Sequence, residues 1–393
     1  MRRDVNHRVS LLAVSSALRL PVHRFHRPRR GARPRRVVRT GCAALLSVAT
    51  TACGGAPPAS VSLAPASAAD GWRVSTPAAE GMDAARVAAA FREIAREPAF
   101  RTVRSLLVVR NGALVAEGYF GGADRAQLHD VRSVTKSVTA LLVGVAIARG
   151  DLSGVRQPFA AYYPRATGAD ADPALRALTL EDLLTMRAGL RWDEHAYHDA
   201  DPSTMYRAPN SVDWVLRHPV EEPPGRVFRY STGNSQLVSA VLTRATGRST
   251  AAFAREALFA PLGITRWRWD AHWDGLTYGG VGLFLTARDL AKLGQLCLQE
   301  GRWGERQVVP AAWIRASTQP HARGPEGPYG YGWWVRPDGY AAAGYGGQYV
   351  YVFPRTRVIV VLTADPNVER HLGFTEIEPL VERFVVGAVR SGQ

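Results

Sequence analysis

The alternation of hydrophobic and polar positions predicts β-hairpins near both ends of the chain. Two apolar runs in residues 105–120 flank Asn111 and Gly112, a dipeptide that favours a tight hairpin turn because both residues tolerate a positive φ. A second pair of runs, joined by a short turn, covers residues 348–353 and 357–363. Hairpins contributed by the two ends of the chain can share one antiparallel sheet.

The middle of the chain has helical periodicity. Residues 137–148 are apolar on almost every face, which predicts a helix buried in the core. Further helical patterns cover residues 83–96, 178–190, 235–247, 286–301 and 376–390. Strands that bracket a helical middle favour an α+β fold over alternating βαβ units. We therefore expect an antiparallel sheet flanked by helices, with an inserted helical subdomain.

The strongly basic composition belongs to the start of the chain. Residues 1–40 contain twelve arginines and one acidic residue, and so carry most of the net charge of +15. A short apolar run then leads to small residues and Cys53, a pattern typical of a secretion signal with a lipidated cysteine. We expect residues 1–53 to be a basic extension and signal or lipoprotein segment, 54–70 a Pro/Ala/Ser linker, and 71–393 the folded domain.

This pattern predicts an exported protein, anchored to the membrane through Cys53 or secreted. An ordinary cleaved signal peptide without a lipid is the alternative, and translation could start at Val37 or Val38 instead of Met1. A basic arm that binds polyanions is a further interpretation of residues 1–40. Because the rest of the chain is nearly balanced in charge, we expect no nucleic-acid partner for the folded domain.

Ser133 and Lys136 lie at the start of the predicted buried helix, where a spacing of three lets both side chains face the same way. Lys136 is one of only two lysines, the other being Lys292, among 49 lysines and arginines. Burial lowers the pKa of a lysine, and the neutral amine can take a proton from a serine. Arginine stays charged and cannot do so. The alternative is a capping serine beside a solvated lysine.

Three segments resemble the motifs of the serine β-lactamase and penicillin-binding protein superfamily. They are SVTK from Ser133, FRYSTGNSQL from Phe228 and AAGYGGQYVYVFP from Ala342. The chain is most similar to the branch of β-lactamase-related esterases and 6-aminohexanoate-dimer hydrolases, from about Gly71 to the C-terminus. The resemblance implies a β-lactamase/DD-peptidase-like fold and a serine hydrolase that forms an acyl-enzyme without a metal or a cofactor.

The resemblance also implies roles for single residues. Ser133 matches the nucleophile and Lys136 its base partner. Tyr230 matches the tyrosine that relays the proton to the leaving group. Asn234 matches the asparagine of the same motif, although its spacing from Tyr230 is longer than the usual Tyr-x-Asn.

The third motif corresponds to Tyr345, Gly346 and Gly347, whose glycines would let a strand approach the substrate closely. The backbone N–H groups of Ser133 and Gln348 would then form the oxyanion hole. Many β-lactamases and DD-peptidases carry a lysine at the position of Tyr345, where it recognises a substrate carboxylate. Because tyrosine supplies no cation, an uncharged small-molecule ester or amide is the expected substrate.

Two other functions remain as alternatives: a DD-peptidase or β-lactamase acting on peptidoglycan-type substrates, and a catalytically silent binding lipoprotein of the cell envelope. The polar loop 191–206 contains the residue types of a metal site: His195 and His198 with Asp193 or Asp199. We prefer the interpretation that this segment is a surface loop beside the pocket. Three tryptophans are candidates for the pocket wall or the core: Trp192, Trp333 and Trp334. Cys297 is expected to be a buried small hydrophobic residue.

Overall fold

The computed structural model of the protein describes residues 60–164, 172–194, 204–368 and 371–390. The predictions for residues 1–53, including the lipid anchor at Cys53, lie outside these ranges, as do His195, His198 and Asp199. Within the described ranges, no helix combines the length and the apolar character that crossing a membrane requires.

The strands form one large sheet and two small ones. They are β1 (Ser60–Ser62), β2 (Arg73–Val74), β3 (Val103–Arg110), β4 (Ala113–Tyr119), β5 (His129–Asp130), β6 (Trp267–Trp269), β7 (Leu283–Leu285), β8 (Arg302–Trp303), β9 (Arg306–Gln307), β10 (Ala322–Gly324), β11 (Gly327–Tyr329), β12 (Trp334–Arg336), β13 (Gly339–Gly344), β14 (Gln348–Phe353) and β15 (Val358–Ala364). The large sheet has the antiparallel order β1-β4-β3-β15-β14-β13-β12-β11-β10, and the short β2 pairs in parallel with β4. Strands β5, β7 and β6 form the second sheet, and β8 pairs with β9.

Both predicted hairpins are confirmed, and they meet at the centre of the large sheet. The turn between β3 and β4 consists of Asn111 and Gly112, with φ of 51° and 77°, as a type I′ turn requires. Strand β15 of the second hairpin pairs with β3, so that Val360 lies opposite Val108. The two ends of the chain therefore build one sheet.

The helices pack on both faces of this sheet or form a block beside it. The α-helices are α1 (Ala84–Arg96), α2 (Val134–Arg149), α3 (Pro173–Ala177), α4 (Leu180–Leu184), α5 (Ser211–Leu216), α6 (Thr232–Thr246), α7 (Thr250–Ala254), α8 (Ala287–Leu298), α9 (Ala311–Ser317) and α10 (Phe374–Phe384). Single turns of 3₁₀-helix lie at Pro98–Phe100, Phe159–Ala161, Met205–Arg207 and Val386–Ala388, and a π-helical turn at Arg255–Phe259. Helices α3 to α7 are the predicted inserted helical subdomain, and the α+β fold is confirmed.

Alternation along β3 shows how the sheet separates two hydrophobic clusters. Leu107 and Val109 belong to the cluster that contains α2, α6 and α8. Leu106 and Val108 point to the other face, which α1 and α10 cover. Because the sheet is buried on both faces, α2 is held between the sheet and the helical block. Cys297 is confirmed as a buried residue of the first cluster.

Two predicted helices are shorter in the structure. The segment 178–190 is helical only over α4, because Met186 adopts a positive φ of 59° and the chain turns back. Gly189 then lies so close to the following segment that a Cβ atom there would be 1.9 Å from the carbonyl oxygen of Glu222. The last helix ends at Phe384, before Val385 and a 3₁₀ turn, rather than continuing to residue 390.

The folded part also begins before Gly71, inside the predicted linker. Strand β1 pairs with β4, and the carboxylate of Asp70 accepts a hydrogen bond of 2.8 Å from Arg288. The same guanidinium donates to both carboxylate oxygens of Glu117, at 2.7 and 2.8 Å. Arg288 and Glu117 are only 2% and 3% exposed, so this buried pair fixes α8 against β4 and holds the segment that precedes β2.

We expect Arg288→Met to lower the free energy of unfolding by about 3–5 kcal/mol, because it leaves the Glu117 carboxylate buried without its main partner. Arg149→Met is the matched control, since its ion pair with Glu256 is 38% and 49% exposed and should contribute less than about 1 kcal/mol. Urea unfolding of both variants measures the difference. Equal losses in the two variants would contradict the importance of the buried pair.

Candidate active site

The candidate site is a cavity of about 460 Å³ at the N-terminus of α2. It is bordered by Ser133 just before that helix, by Tyr230 from the segment before α6, and by Gly344 and Tyr345 at the end of β13. Three regions that are distant in the sequence therefore meet at the predicted nucleophile.

Ser133 does not act as a helix cap, although it precedes the first residue of α2. Its side chain makes no hydrogen bond to the backbone of the first turn. Instead, its Oγ lies 2.8 Å from Nζ of Lys136. The preceding residue, Arg132, has a positive φ of 49°, a conformation that costs a non-glycine residue about 1 kcal/mol or more. This tight turn between β5 and α2 exposes Ser133 to the cavity.

Lys136 is buried and its amine has three acceptors. Besides Ser133, Nζ lies 2.8 Å from Oγ1 of Thr232 and 3.3 Å from the carbonyl oxygen of Gly280. Burial lowers the pKa of Lys136 to about 8, and the nearby Glu194 carboxylate acts in the opposite direction. The lysine can therefore exist as a neutral base near physiological pH, which an exposed lysine could not do.

Tyr230 lies beside this pair, and its hydroxyl stays protonated. Its ring centroid is 4.8 Å from Nζ of Lys136 and 5.8 Å from the ring of Trp334, which stacks on it. Burial, followed by the charge of Glu194, raises the pKa of Tyr230, while a hydrogen bond with Ser133 lowers it. Tyr230 is therefore suited to pass a proton on rather than to start the reaction as a phenolate.

The third motif lies beside Ser133, but shifted from the predicted assignment. A Cβ atom on Gly344 would be 3.1 Å from the backbone nitrogen of Ser133 and 2.4 Å from the carbonyl oxygen of Val131, so only glycine fits. The glycine that allows the close approach is therefore Gly344. Gly346 and Gly347 have φ of 84° and 101° and form the turn between β13 and β14.

Gln348, whose backbone N–H is predicted for the oxyanion hole, is fully buried and is not among the described residues that line the cavity. Its side chain binds the backbone of Ala364 on the neighbouring strand β15. Tyr345 instead lines the cavity next to Gly344, and its hydroxyl is hydrogen-bonded to Nε2 of His371. Burial and the charge of Arg132 lower the pKa of His371.

Thr232, rather than the predicted Asn234, contacts Lys136. Asn234 is buried in the first turn of α6, where its backbone N–H is capped by Oγ of Ser231. Thr232 lies against Lys136, and its spacing from Tyr230 is that of the usual Tyr-x-Asn motif, a signal that could have identified it. Glu194, which accepts hydrogen bonds from Thr232, has no comparable signal in the sequence.

The far wall of the cavity is apolar and aromatic. It is formed by Trp334, Tyr349, Leu372 and Phe374, with Glu326 at one side. Of the three tryptophan candidates, Trp334 therefore lines the cavity. Trp333 is a core residue, and Nε1 of Trp192 donates a hydrogen bond of 2.6 Å to Glu194. Among the described residues that line the cavity there is no lysine or arginine.

Known proteins are similar to this chain in sequence. The sequence profile of the Beta-lactamase family matches residues 87–373. A 6-aminohexanoate-dimer hydrolase of Paenarthrobacter ureafaciens is 25% identical over 296 residues, which cover 67% of this chain and 73% of the relative.

Solved structures share the fold at lower sequence identity. A Bacillus anthracis protein assigned as a 6-aminohexanoate-dimer hydrolase superposes with a TM-score of 0.62 at 20% identity, over 73% of this chain and 79% of its own. A penicillin-binding protein of Bacillus halodurans superposes with a TM-score of 0.58 at 17% identity, over 75% and 98%. The profile match covers well over half of the sequence, and the chain belongs to the beta-lactamase family of hydrolases.

Proposed function

We propose that the protein is an exported serine hydrolase that cleaves an uncharged ester or amide through an acyl-enzyme on Ser133. The observation that carries this proposal is the 2.8 Å contact between Oγ of Ser133 and the buried amine of Lys136. A serine paired with a lysine of lowered pKa is an activated nucleophile. The export part of the proposal is supported by the signal-like pattern that ends at Cys53.

The reaction begins when the neutral amine of Lys136 takes the hydroxyl proton of Ser133. Oγ attacks the substrate carbonyl carbon, and the backbone N–H groups of Ser133 and Tyr345 stabilise the negative oxygen. Tyr230 donates its proton to the leaving alcohol or amine and regains one from the Lys136 ammonium. A water molecule, deprotonated by the same groups, then attacks the acyl-enzyme, releases the acid and restores the Ser133 hydroxyl.

The cavity supports a neutral acyl group as the preferred substrate. Aromatic walls favour apolar groups, and no cation among the described lining residues is available to pair with a substrate carboxylate. Tyr345 lines the cavity and supplies no cation to such a carboxylate. The relative's name specifies a 6-aminohexanoate dimer, whose amide bond belongs to the proposed class of scissile bonds.

We expect a fluorophosphonate probe to add once to the wild-type protein and not at all to Ser133→Ala, because only an activated serine reacts with this probe. Intact-mass spectrometry of both proteins measures the adduct. Circular dichroism should show that the variant is folded. An unlabelled but folded wild type would refute the serine hydrolase and favour the silent binding protein.

The rate of labelling should rise with pH and level off above a midpoint of about 8, because the neutral form of Lys136 is the base. The second-order rate constant between pH 5 and 10, measured with an uncharged probe, gives this profile. Lys136→Met should lose the pH dependence together with most of the rate. A wild-type rate that is constant over this range would argue against Lys136 as the base.

We expect the wild-type protein to cleave a neutral acyl ester with a higher kcat/KM than the same ester with a terminal carboxylate. Tyr345→Lys should bring the two kcat/KM values closer together. The new ammonium can pair with the carboxylate, and we expect a change of about tenfold, equivalent to about 1.4 kcal/mol. Tyr345→Met is the control, since it removes the phenol without adding a charge. If both variants change the ratio alike, charge does not determine the preference.

A further inference from the structure

Thr232 connects the buried amine to a carboxylate that the reaction scheme does not use. Its Oγ1 lies 2.8 Å from Nζ of Lys136, and its hydroxyl is hydrogen-bonded to Oε1 of Glu194. A carboxylate only accepts hydrogen bonds, so the single proton of this hydroxyl points to Glu194. The oxygen of Thr232 therefore presents a lone pair to Lys136.

We propose that Glu194 is a positioning residue that acts through Thr232 to aim the lone pair of the neutral Lys136 amine at Ser133 and to set the pH at which this amine forms. The proposal rests on the proposed function, in which Lys136 is the base. Glu194 does not need to touch the substrate for this role.

The direction of the nitrogen lone pair follows from the number of protons on the Lys136 amine. In the ammonium form, three N–H groups face three acceptors: Ser133, Thr232 and the carbonyl of Gly280. After deprotonation two N–H groups remain, and Thr232 and Gly280 can only accept them. The lone pair is thereby left facing Oγ of Ser133, whose proton it must take.

The second part of the role is electrostatic. Oε1 of Glu194 is 3.9 Å from Nζ of Lys136 across a partly buried site, and its charge favours the ammonium. Of the described residues packed around this amine, the other titratable group is Tyr230, which is neutral because its own pKa is raised. Glu194 therefore opposes the effect of burial and prevents the amine from losing its proton at a still lower pH.

The Glu194 carboxylate is fixed by two further hydrogen bonds, and an oriented hydrogen bond from the Thr232 hydroxyl requires this. Its Oε2 accepts both the indole N–H of Trp192 at 2.6 Å and the backbone N–H of Thr232 at 2.9 Å. In a Glu194→Gln variant, the amide oxygen must stay with these two donors. The amide NH₂ would then face the Thr232 hydroxyl and turn its proton toward Lys136, where it competes with Ser133 for the lone pair.

We expect two changes in the pH profile of fluorophosphonate labelling for Glu194→Gln. The midpoint should move to lower pH by about one unit or more, because the charge that favours the ammonium is gone. The plateau rate should fall by about tenfold, because the lone pair is misdirected. Asp193→Asn removes the same charge from the exposed neighbouring residue and should leave the profile unchanged. A lower plateau with an unmoved midpoint would overturn the proposal.

Conservative substitutions of Thr232 test whether its hydroxyl connects Glu194 to Lys136. Thr232→Val removes the hydroxyl but keeps the size of the side chain, and should lower the plateau by about tenfold. Thr232→Ser keeps the hydroxyl and should restore most of the rate. Equal plateaus for the valine and serine variants would show that the hydroxyl does not orient the amine.

A measurement without any reaction separates this proposal from the proposed function. Because the chain has only Lys136 and Lys292, protein labelled with ¹³C at the lysine ε-carbons gives two signals, and Lys136→Met identifies one of them. The Lys136 signal should titrate at lower pH in Glu194→Gln than in the wild type. If the titration of Lys136 shifts but the fluorophosphonate probe does not label the wild-type protein, then Glu194 acts on Lys136 and the protein is not a serine hydrolase. An unshifted titration would overturn the link.

Discussion

The site depends on one constraint, the burial of a primary amine with hydrogen-bond acceptors drawn from three separate parts of the chain. Ser133 lies just before the first residue of α2, which carries Lys136; Thr232 begins α6; and the Gly280 carbonyl belongs to the segment before β7. Among the described residues, the carboxylate that pairs with Lys136 is Glu194, with Oε1 at 3.9 Å from Nζ. A buried cation is costly unless its N–H groups find acceptors. The packing of the helical block against α2 therefore determines the chemistry of the serine.

Much of the fold could be predicted because its signals are local. Asn111 and Gly112 specify a turn type by themselves, and the apolar run of α2 can only be buried. The helix predicted over residues 178–190 is shorter because tertiary contacts end it. Met186 and Gly189 adopt positive φ where the chain meets the backbone of Glu222, and no periodicity in the sequence records that contact.

The candidate site also has residues that the sequence predicts and residues that it does not. Ser133, Lys136 and Tyr230 belong to linear motifs, and the structure brings them together. The resemblance of the third motif implies Gln348, but in this glycine-rich segment a shift of three residues separates cavity-lining Tyr345 from buried Gln348. Glu194 could not be found from the sequence, because its importance comes from Thr232, which is remote along the chain and contacts it only in the folded state.

The two lysines have a consequence for the surface of the molecule. Lys136 is 3% exposed and Lys292 is fully buried beside Asp289, so the described surface carries its positive charge on guanidinium groups alone. A guanidinium remains protonated and does not react with acylating agents as a free amine does. In the proposed reaction, an acyl donor would therefore meet no exposed lysine on the described surface. For the same reason, lysine-directed cross-linkers and immobilisation resins would find no ε-amine to attach to on this surface.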